Sequence, residues 1–435
     1  MSTTSIKKLY TLLPFLVFIF VFLGAGIYNN NFYILPSPVA IVIGIVSAFF
    51  IIKGKTKNKI NDFLEGCGDK NILTMCMIYI LAGAFATISK AIGSTDAIVQ
   101  IGINNLSPAF YPAGMFLVAS FLSLAAGTSV GTIVALGPIA VGIANASGSD
   151  INLIGAALLG GAMFGDNLSI ISDTTIAATQ IMGCDMKDKF KNNFGFVLPA
   201  AIIAFFIYIY VGVGNGNAIP NSQEISSQTF ILVLPYLAVI LLAFLGLNVF
   251  LVLIIGVILG GIFGLTFHSF NLLEFGQKIY EGFTSMTEIF LLTLLTGGLA
   301  AMIEKAGGID SLLHLIKGKI TGSKSALLGI GTFVGLTDAA TANNTVSIVI
   351  TGKVAQKITK EFNIRPRVTA SILDTFSCFV QGIIPYGAQI LILTSFSKNT
   401  ISYPEILKNS FYLYLLLIAV LIYIFVGKIK KSHIH

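Results

Sequence analysis

The sequence predicts an all-α polytopic membrane protein built from two inverted-topology repeats, each with a re-entrant hairpin and a discontinuous helix. Three observations lead to this prediction: the composition, the distribution of basic residues and an internal repeat. Of the 435 residues, 55% are hydrophobic and 10% are charged, and the mean hydropathy is +0.89. This composition excludes an ordinary soluble domain and a disordered chain.

Long apolar segments recur along the chain, and a transmembrane helix needs about 20 such residues. The segments that we interpret as spans on this measure are Leu9–Tyr28, Ile34–Ile52, Ile72–Ile92, Phe194–Val213, Phe230–Gly246, Val249–Phe267, Ile289–Ala306 and Phe411–Val426. Shorter or interrupted apolar segments lie between them. The first span lacks a small-residue cleavage site and is followed directly by others, so we predict no cleavable signal.

Basic residues cluster in short loops between the apolar segments. The net charge of +7 therefore reflects the positive-inside rule and does not predict a nucleic-acid partner. The loops that this rule places in the cytoplasm are Lys53–Lys70, Lys187–Lys191, Lys305–Lys324, Lys353–Arg367 and the tail from Lys428. The lysine-free stretches Asn29–Phe32 and Gly214–Gln228 then lie outside. We expect a protein of the cell membrane with both termini cytoplasmic and with halves of opposite orientation.

An internal repeat supports these two halves, which are residues 1–213 and 228–435. A set of first-half residues recurs 215 positions later, as from Lys90 to Lys305. The set is Gly83, Ala86, Ile88, Lys90, Ala91 and Gly93, which returns as Gly298, Ala301, Ile303, Lys305, Ala306 and Gly308. Inverted halves are the architecture of many secondary transporters, whose sites lie near the membrane midplane at broken helices.

Each half also contains a predicted re-entrant hairpin, within residues 111–144 and 327–358. The arms are Tyr111–Ala126 with Thr132–Ala144, and Leu327–Leu336 with Ser347–Ile358. The tips are the small, polar segments 127–131 and 341–345. We predict hairpins because the arms are too short to span a membrane. The alternative is that the two arms cross the membrane fully, because two full crossings return the chain to its starting side just as a hairpin does.

A discontinuous helix follows each hairpin, within residues 152–182 and 368–397. The first break lies in the stretch FGDNLSIISDTT, which places Asp166 and Asp173 between apolar runs. A carboxylate is costly at membrane depth, and irregular backbone is tolerated there only where it is buried in protein or lines a cavity. We therefore predict an ion site at this break. A helix kink with satisfied polar groups is the alternative.

Oxygen ligands for the predicted site come from the hairpin tips and the helix breaks. Hydroxyl, amide and carbonyl oxygens form a cage that suits a small hard cation such as Na⁺. The first set is Gly127, Thr128, Ser129, Asn167 and Ser169, with charge supplied by Asp166 or Asp173. The symmetric set is Asn343, Asn344, Thr345, Gly382 and Pro385, with Asp338 and Asp374 nearby in sequence.

Aspartates in such a site couple cation binding to proton binding. Burial and mutual repulsion favour the protonated form of a carboxyl group, and a bound Na⁺ favours the ionised form. We rank Asp166 and Asp173 first, then Asp374, and Asp338 last. Because the two arginines lie in a loop and Lys90 and Lys305 at span ends, the predicted site lacks a fixed positive side chain. This favours a cation over an anion, although amide donors and helix N-termini can bind a carboxylate.

The sequence gives little support for an enzyme. Gly127–Gly131 reads GTSVG and fits the G-x-S-x-G pattern of hydrolases, but that pattern has meaning only on a strand-turn-helix with a catalytic triad. The four cysteines have no metal-ligand spacing and predict neither a zinc site nor a disulfide framework. We predict no enzyme activity and no cofactor.

Two further patterns concern helix packing. Segments Ser94–Leu106 and Asp310–Ile320 have apolar residues at helical spacing and are predicted to be surface helices. Gly161 with Gly165, and Gly256 with Gly260, have GxxxG spacing and are predicted to let helices pack closely.

The strings GTSVGTIVALGP, FGDNLSIISDTTIAATQ and CDMKDKFK resemble the NhaC-type Na⁺/H⁺ antiporter family. The resemblance is strongest over residues 127–191. Ile170 stands where the family usually has proline, and Val130 where it commonly has tryptophan. The resemblance implies an ion transporter with scaffold and transport domains, an elevator-type motion and a homodimer. It also implies that the polar tip residues named above hold Na⁺ and substrate.

From these patterns we predict a secondary active transporter that exchanges Na⁺ for H⁺ across the cytoplasmic membrane. The alternative is a Na⁺- or H⁺-coupled carrier of an amino acid or a small carboxylate, because relatives exchange such solutes. A channel is disfavoured, since inverted halves with broken helices suit alternating access.

Overall fold

The computed structural model describes residues 9–29, 34–170, 172–214, 227–245, 247–309, 311, 320–398 and 400–427. The regular elements in these ranges are α-helices, with short 3-10 turns at Leu9–Leu12 and Pro108–Phe110. The first-half helices are α1 (Leu13–Tyr28), α2 (Ser37–Ile51), α3 (Thr56–Cys67), α4 (Lys70–Ala91), α5 (Ser94–Asn105), α6 (Tyr111–Ala126), α7 (Ser129–Ser147), α8 (Ile151–Leu168), α9 (Asp173–Met182) and α10 (Met186–Gly214).

Ten more helices follow among the described residues of the second half of the chain. They are α11 (Ser227–Phe244), α12 (Val249–Thr266), α13 (Leu272–Ser285), α14 (Thr287–Lys305), α15 (Ser323–Thr341), α16 (Asn344–Glu361), α17 (Pro366–Ile383), α18 (Ala388–Phe396), α19 (Tyr403–Asn409) and α20 (Phe411–Val426).

The described residues contain nine helical segments that are long and apolar enough to cross a membrane. Large apolar side chains cover the outside: Phe20, Phe50 and Tyr210 are 73%, 85% and 81% exposed. Many serines, threonines and amides are instead buried inside. This distribution suits lipid as the solvent, and the chain is a multi-pass membrane protein.

Several helix bounds match the predicted ones, and one differs in a way that affects the site. The predicted segments Tyr111–Ala126 and Phe411–Val426 are α6 and α20. Helix α10 begins at Met186, eight residues before the predicted span at Phe194. Asp188 lies in its first turn, where an acid stabilises a helix. The segment predicted to be a basic loop is therefore helical.

Most arms of the predicted hairpins are longer than the sequence indicated. Helix α7 has 19 residues, and α15 and α16 have 19 and 18. At about 1.5 Å per residue, 19 residues reach nearly 30 Å, so α7, α15 and α16 exceed the arm lengths read from the sequence, whereas α6 has the predicted 16 residues. All but two residues of each predicted tip are included in the helices, because each tip supplies an N-cap that starts the next helix at once.

Each tip is a connection of two residues with the same conformation. Gly127 and Ala342 end α6 and α15 with φ of 68° and 50°, and they are 215 positions apart. The next residues, Thr128 and Asn343, are N-caps whose side chains accept from the backbone N–H of Gly131 and Val346. Such caps satisfy one of the free donors at a helix start.

Both long helices of the predicted broken pairs are interrupted for four residues. Helix α8 ends at Leu168 and α9 begins at Asp173, while α17 ends at Ile383 and α18 begins at Ala388. The corresponding ends are again 215 positions apart. In the second break the missing N–H of buried Pro385 prevents helix continuation.

Glycines bring the broken helices close to the preceding arms. A Cβ at Gly161 of α8 would overlap the carbonyl oxygen of Phe116 in α6. At positions 215 residues later the pair is reversed, since a Cβ at Gly331 of α15 would lie 2.8 Å from the ring of Phe376 in α17. Gly165 is packed in the same manner against α6, so the predicted role of this GxxxG pair in close packing is confirmed.

The other predicted glycine pair also packs closely. A Cβ at Gly256 would meet Val239 and Phe85, and one at Gly260 would meet Ile88. The predicted first surface helix is α5. Other predictions lie wholly or largely outside the described residues, namely the surface helix Asp310–Ile320, the external stretches Asn29–Phe32 and Gly214–Gln228, and the tail from Lys428.

Candidate functional site

Asp166 lies in the last turn of α8 and is 4% exposed. Its Oδ2 accepts hydrogen bonds from the Ser129 backbone N–H at 3.2 Å and from Ser129 Oγ at 2.6 Å. Its Oδ1 accepts from Ser172 Oγ at 2.5 Å. One carboxylate is therefore held between the start of α7, which follows the first tip, and the break between α8 and α9.

Polar side chains from the second half complete this cluster. Gln389 of α18 donates from Nε2 to Ser129 Oγ at 3.1 Å, and Gln381 of α17 donates to Gln389 Oε1 at 2.9 Å. On the other side, the hydroxyl oxygens of Ser172 and Thr174 are 2.9 Å apart. The cluster thus joins both helix breaks around Asp166. Among these residues, sequence reasoning proposed Ser129 and Asp166 but not Ser172, Thr174, Gln381 or Gln389.

Asp173 does not share this environment. It is the first residue of α9 and is exposed, whereas the preceding Ser172 is buried and faces Asp166. Of the two acids that the sequence ranks first, the structure therefore buries Asp166 and leaves Asp173 outside the cluster. A helix N-terminus stabilises a carboxylate at its surface, which accounts for an acid at this position without a buried partner.

A second polar cluster lies directly beside the first and contains a buried lysine. Lys189 of α10 is 1% exposed, and its Nζ lies 2.5 Å from Asp374 Oδ2 in α17. The same Nζ donates to the carbonyl oxygen of Asn167 at 2.8 Å and to Thr175 Oγ1 at 2.7 Å. The prediction that the site region lacks a fixed positive side chain was wrong.

Asn193 belongs to the second cluster. Its Nδ2 donates to Asn167 Oδ1 and to the Asn167 carbonyl oxygen, both at 3.0 Å, and it lies 3.4 Å from Asp374 Oδ2. Lys189, Asn193 and Val197 recur every four residues and form the buried face of α10. That spacing was the available sequence signal, but the cluster of neighbouring lysines favoured a loop.

Other predicted residues have structural roles at the first tip and break. Gly127 provides the left-handed turn, and Thr128 caps α7. Buried Ser169 donates to the Leu124 carbonyl oxygen at 2.9 Å and thereby ties the break to α6. These residues lie next to the Asp166 cluster in the chain, and the hydrogen bonds described here tie them to the backbone.

The second predicted set is arranged differently from the first. Asn343 caps α16 and donates to Met75 Sδ at 3.1 Å, while Asn344 accepts from the Thr345 N–H at 3.0 Å. Gly382 packs against Leu413, and Pro385 lies buried in the second break. In the described structure no hydrogen bond joins these residues to Asp166, so the two tips do not form one common cage.

Asp338 of α15 is fully buried at 0% exposure. Neither of its carboxylate oxygens has a hydrogen-bond partner among the described residues. The sequence ranked this residue last because of its expected place near an interface. Its burial instead makes it a second enclosed acid, in the arm that leads to the second tip.

An open cavity of about 560 Å³ lies where α9 ends and α10 and α17 begin. Both arginines of the chain and two aspartates line it, together with a free cysteine. The lining residues are Thr179, Gln180, Gly183, Cys184, Asp185, Asp188, Arg365, Pro366 and Arg367. Asp188 immediately precedes Lys189 in α10, so the cavity lies next to the buried Lys189–Asp374 pair.

Comparison with known proteins identifies the family. The model of the Na⁺/H⁺ antiporter family matches residues 1–213 and 218–428. The malate-2H⁺/Na⁺-lactate antiporter of Bacillus subtilis is 23% identical, with 90% of this chain and 91% of that protein covered. The Na⁺/H⁺ antiporter NhaC of Alkalihalophilus pseudofirmus is 24% identical, with 71% and 73% covered.

Among solved structures, the YdaH transporter of Alcanivorax borkumensis aligns with a TM-score of 0.45 and 13% identity, covering 84% of this chain and 86% of that one. The family match spans nearly the whole chain, and the family consists of transporters rather than enzymes. The chain is therefore a multi-span secondary transporter that belongs to the Na⁺/H⁺ antiporter family.

Proposed function

We propose that this protein is a Na⁺/H⁺ antiporter in which the Asp166 carboxylate binds Na⁺ and H⁺ in turn. The observation that supports this most directly is the placement of one buried carboxylate among the hydroxyl groups of Ser129 and Ser172. Carboxylate and hydroxyl oxygens are ligands that a hard cation prefers. The names of several relatives, which include Na⁺/H⁺ antiporters, agree with this choice.

The hydroxyl groups allow the same oxygens to serve both occupants. A hydroxyl donates one hydrogen bond and accepts through two lone pairs. In the structure Ser129 and Ser172 donate to Asp166. When Na⁺ binds, the hydroxyls turn and present lone pairs to it, while Gln389 and Thr174 lie within reach of those hydroxyls. When H⁺ binds instead, the carboxyl group is neutral and Na⁺ is released.

Exchange also requires that the site open to one side at a time. We propose that the two halves are inverted repeats, with re-entrant hairpins at α6–α7 and α15–α16, and that an elevator-like movement of the site region provides the alternation. The 215-residue spacing of tips, breaks and packing pairs supports the repeat. The contact between tip residue Ser129 and buried Asp166 supports re-entry.

The orientation in the cell membrane follows from the basic segments. We propose that both termini are cytoplasmic, because the segments rich in lysine and arginine then fall on one side. The open cavity lies at two of these segments, near Lys187–Lys191 and Lys353–Arg367, and is therefore assigned to the cytoplasmic face.

The test is proton flux in proteoliposomes under a Na⁺ gradient, with two matched variants. Asp166→Asn keeps the shape of the side chain but cannot exchange H⁺ for Na⁺, so we expect flux to fall to the level of empty liposomes. Asp173→Asn makes the same change at the exposed end of the break, and we expect most of the flux to remain. Full activity of folded Asp166→Asn would refute the assignment.

A second candidate is coupled exchange of a small carboxylate or an amino acid. The named malate and lactate exchanger covers 90% of this chain, which is the observation in its favour. The same proteoliposomes distinguish the two functions when malate, lactate or basic amino acids are added. Strict dependence of Na⁺-driven proton movement on one of these solutes would favour the second candidate over simple antiport.

A further inference from the structure

The surroundings of the Lys189 ammonium group have the composition of a cation site. Three oxygens of different kinds contact Nζ: the Asp374 carboxylate at 2.5 Å, the Asn167 carbonyl oxygen at 2.8 Å and the Thr175 hydroxyl at 2.7 Å. They come from α17, α8 and α9, so three separate elements converge on one positive charge. Carboxylate, carbonyl and hydroxyl oxygens are also the ligands used for Na⁺.

We propose that Lys189 is a tethered cation which occupies a second cation position and so limits the protein to one mobile cation. The limit of one mobile cation rests on the proposed function. Whether Lys189 occupies a cation position can be tested without measuring transport. Shortening the side chain should open the position to a small monovalent cation from solution. Lys189 would thus determine stoichiometry rather than bind the transported ion.

Charge balance in the two neighbouring clusters supports this inference. Asp166 and Asp374 contribute two negative charges when ionised, and Lys189 contributes one positive charge. One negative charge is left, which one monovalent cation or one proton at Asp166 neutralises. Without the ammonium group a second buried carboxylate would lack a partner, a state that costs several kcal/mol in proteins. A cation entering from the adjacent cavity would relieve that cost.

The arrangement also differs from an ordinary stabilising ion pair in its location. The Asn167 carbonyl belongs to the last turn of α8, where backbone acceptors lose their helical partners. Asn193 links Asn167 to Asp374, and Asn167 directly follows Asp166 in the chain. The lysine therefore contacts the functional break through Asn167, the chain neighbour of the aspartate that is proposed to bind Na⁺.

The experiment measures thermal stability of the purified full-length protein while Na⁺, K⁺ or NH₄⁺ is titrated against a bulky organic cation at constant ionic strength. The parent protein binds one Na⁺ at Asp166 under the proposed function, whereas Lys189→Ala binds a second small cation. We therefore expect the cation-dependent rise in Tm of Lys189→Ala to exceed that of the parent by several degrees. Lys189→Met fills the same space without charge, and we expect no such gain. The Lys189→Ala and Asp374→Asn double variant should lose the added site.

Each outcome decides the question. If Lys189→Ala folds only in the presence of small cations, the position is a cation site; if its stability is the same in all salts, the proposal fails. If it does not fold in any salt while the double variant does, the pair is purely structural and the proposal also fails. In an Asp166→Asn background the added site should persist, so failure of the antiport assignment is distinguishable from failure of this one.

Discussion

The hydroxyl groups around Asp166 define the chemistry at the scale of single residues. Ser129 and Ser172 hold opposite oxygens of one carboxylate, and each has a further polar neighbour. A fully buried carboxylate without such partners would be strongly disfavoured. The hydroxyl groups therefore stabilise the buried carboxylate and also supply oxygens that can bind an ion. Removing one hydroxyl and measuring the affinity for Na⁺ tests the second of these roles.

We predict that Ser172→Ala lowers the apparent affinity for Na⁺ by about tenfold, because hydrogen bonds to charged groups contribute roughly 1.5–3 kcal/mol. The measurement is the Na⁺ concentration that gives half-maximal proton flux in proteoliposomes. Ser147→Ala is the matched control, since this buried serine bonds to the Ile143 carbonyl oxygen at 2.6 Å, away from the site. Equal affinities in the two variants would exclude Ser172 as a ligand.

The sequence identified Asp166 but could not distinguish it from Asp173 by burial. Both acids lie in one polar stretch, and which of them points inward depends on where α8 ends and α9 begins. The same difficulty hid Lys189, because three lysines between residues 187 and 191 are typical of a cytoplasmic loop. Lys189, the middle one of the three, is buried in the core because α10 already begins at Met186.

At the scale of helices, the ends of elements were easier to predict than their lengths. Gly127 and Pro385 marked the first tip and the second break, since each imposes a backbone conformation or removes a donor. Arm lengths were underestimated because small polar residues were assigned to loops. Thr128 and Asn343 instead start new helices by capping them.

The contact between α6 and α8 gives a prediction at this scale. Gly161→Ala would place a methyl group against the Phe116 carbonyl oxygen, so we expect a lower melting temperature in detergent, consistent with about 1–3 kcal/mol for overpacking. Gly24→Ala is the control, because a Cβ there meets nothing within 4 Å and alanine favours a helix. A parent-like melting temperature for Gly161→Ala would show that the two helices can separate without cost.

At the scale of the whole molecule, the open cavity gives a test of orientation. Cys184 lines it and lies between two candidate spans. Burial, together with Asp188 and Asp185, raises the pKa of the Cys184 thiol to about 11, against smaller opposing effects of Lys189 and Arg367. The reactive thiolate is therefore scarce at neutral pH, and its fraction increases as the pH rises towards that value.

We predict that a membrane-impermeant thiol reagent labels Cys184 from the cytoplasmic side, and that the rate increases by about tenfold per pH unit below pH 11. Inside-out and right-side-out vesicles, analysed by mass spectrometry of the modified peptide, provide the measurement. The Cys184→Ser variant is the control, because any labelling that remains in it comes from another cysteine, such as half-buried Cys67. Cys76 and Cys378 are buried and are not expected to react. Labelling restricted to right-side-out vesicles would reverse the proposed topology.

The reversed pairing of Gly161 with Phe116 and of Gly331 with Phe376 has a consequence for how the proposed repeat is detected. Each pair keeps one phenylalanine and one glycine, but the two residue types have changed places: Gly161 meets the backbone carbonyl of Phe116, and Gly331 meets the ring of Phe376. A self-alignment that scores single columns would count two mismatches where the same two residue types are in contact. Shared ancestry between the halves is therefore better judged from complementary pairs than from identical letters.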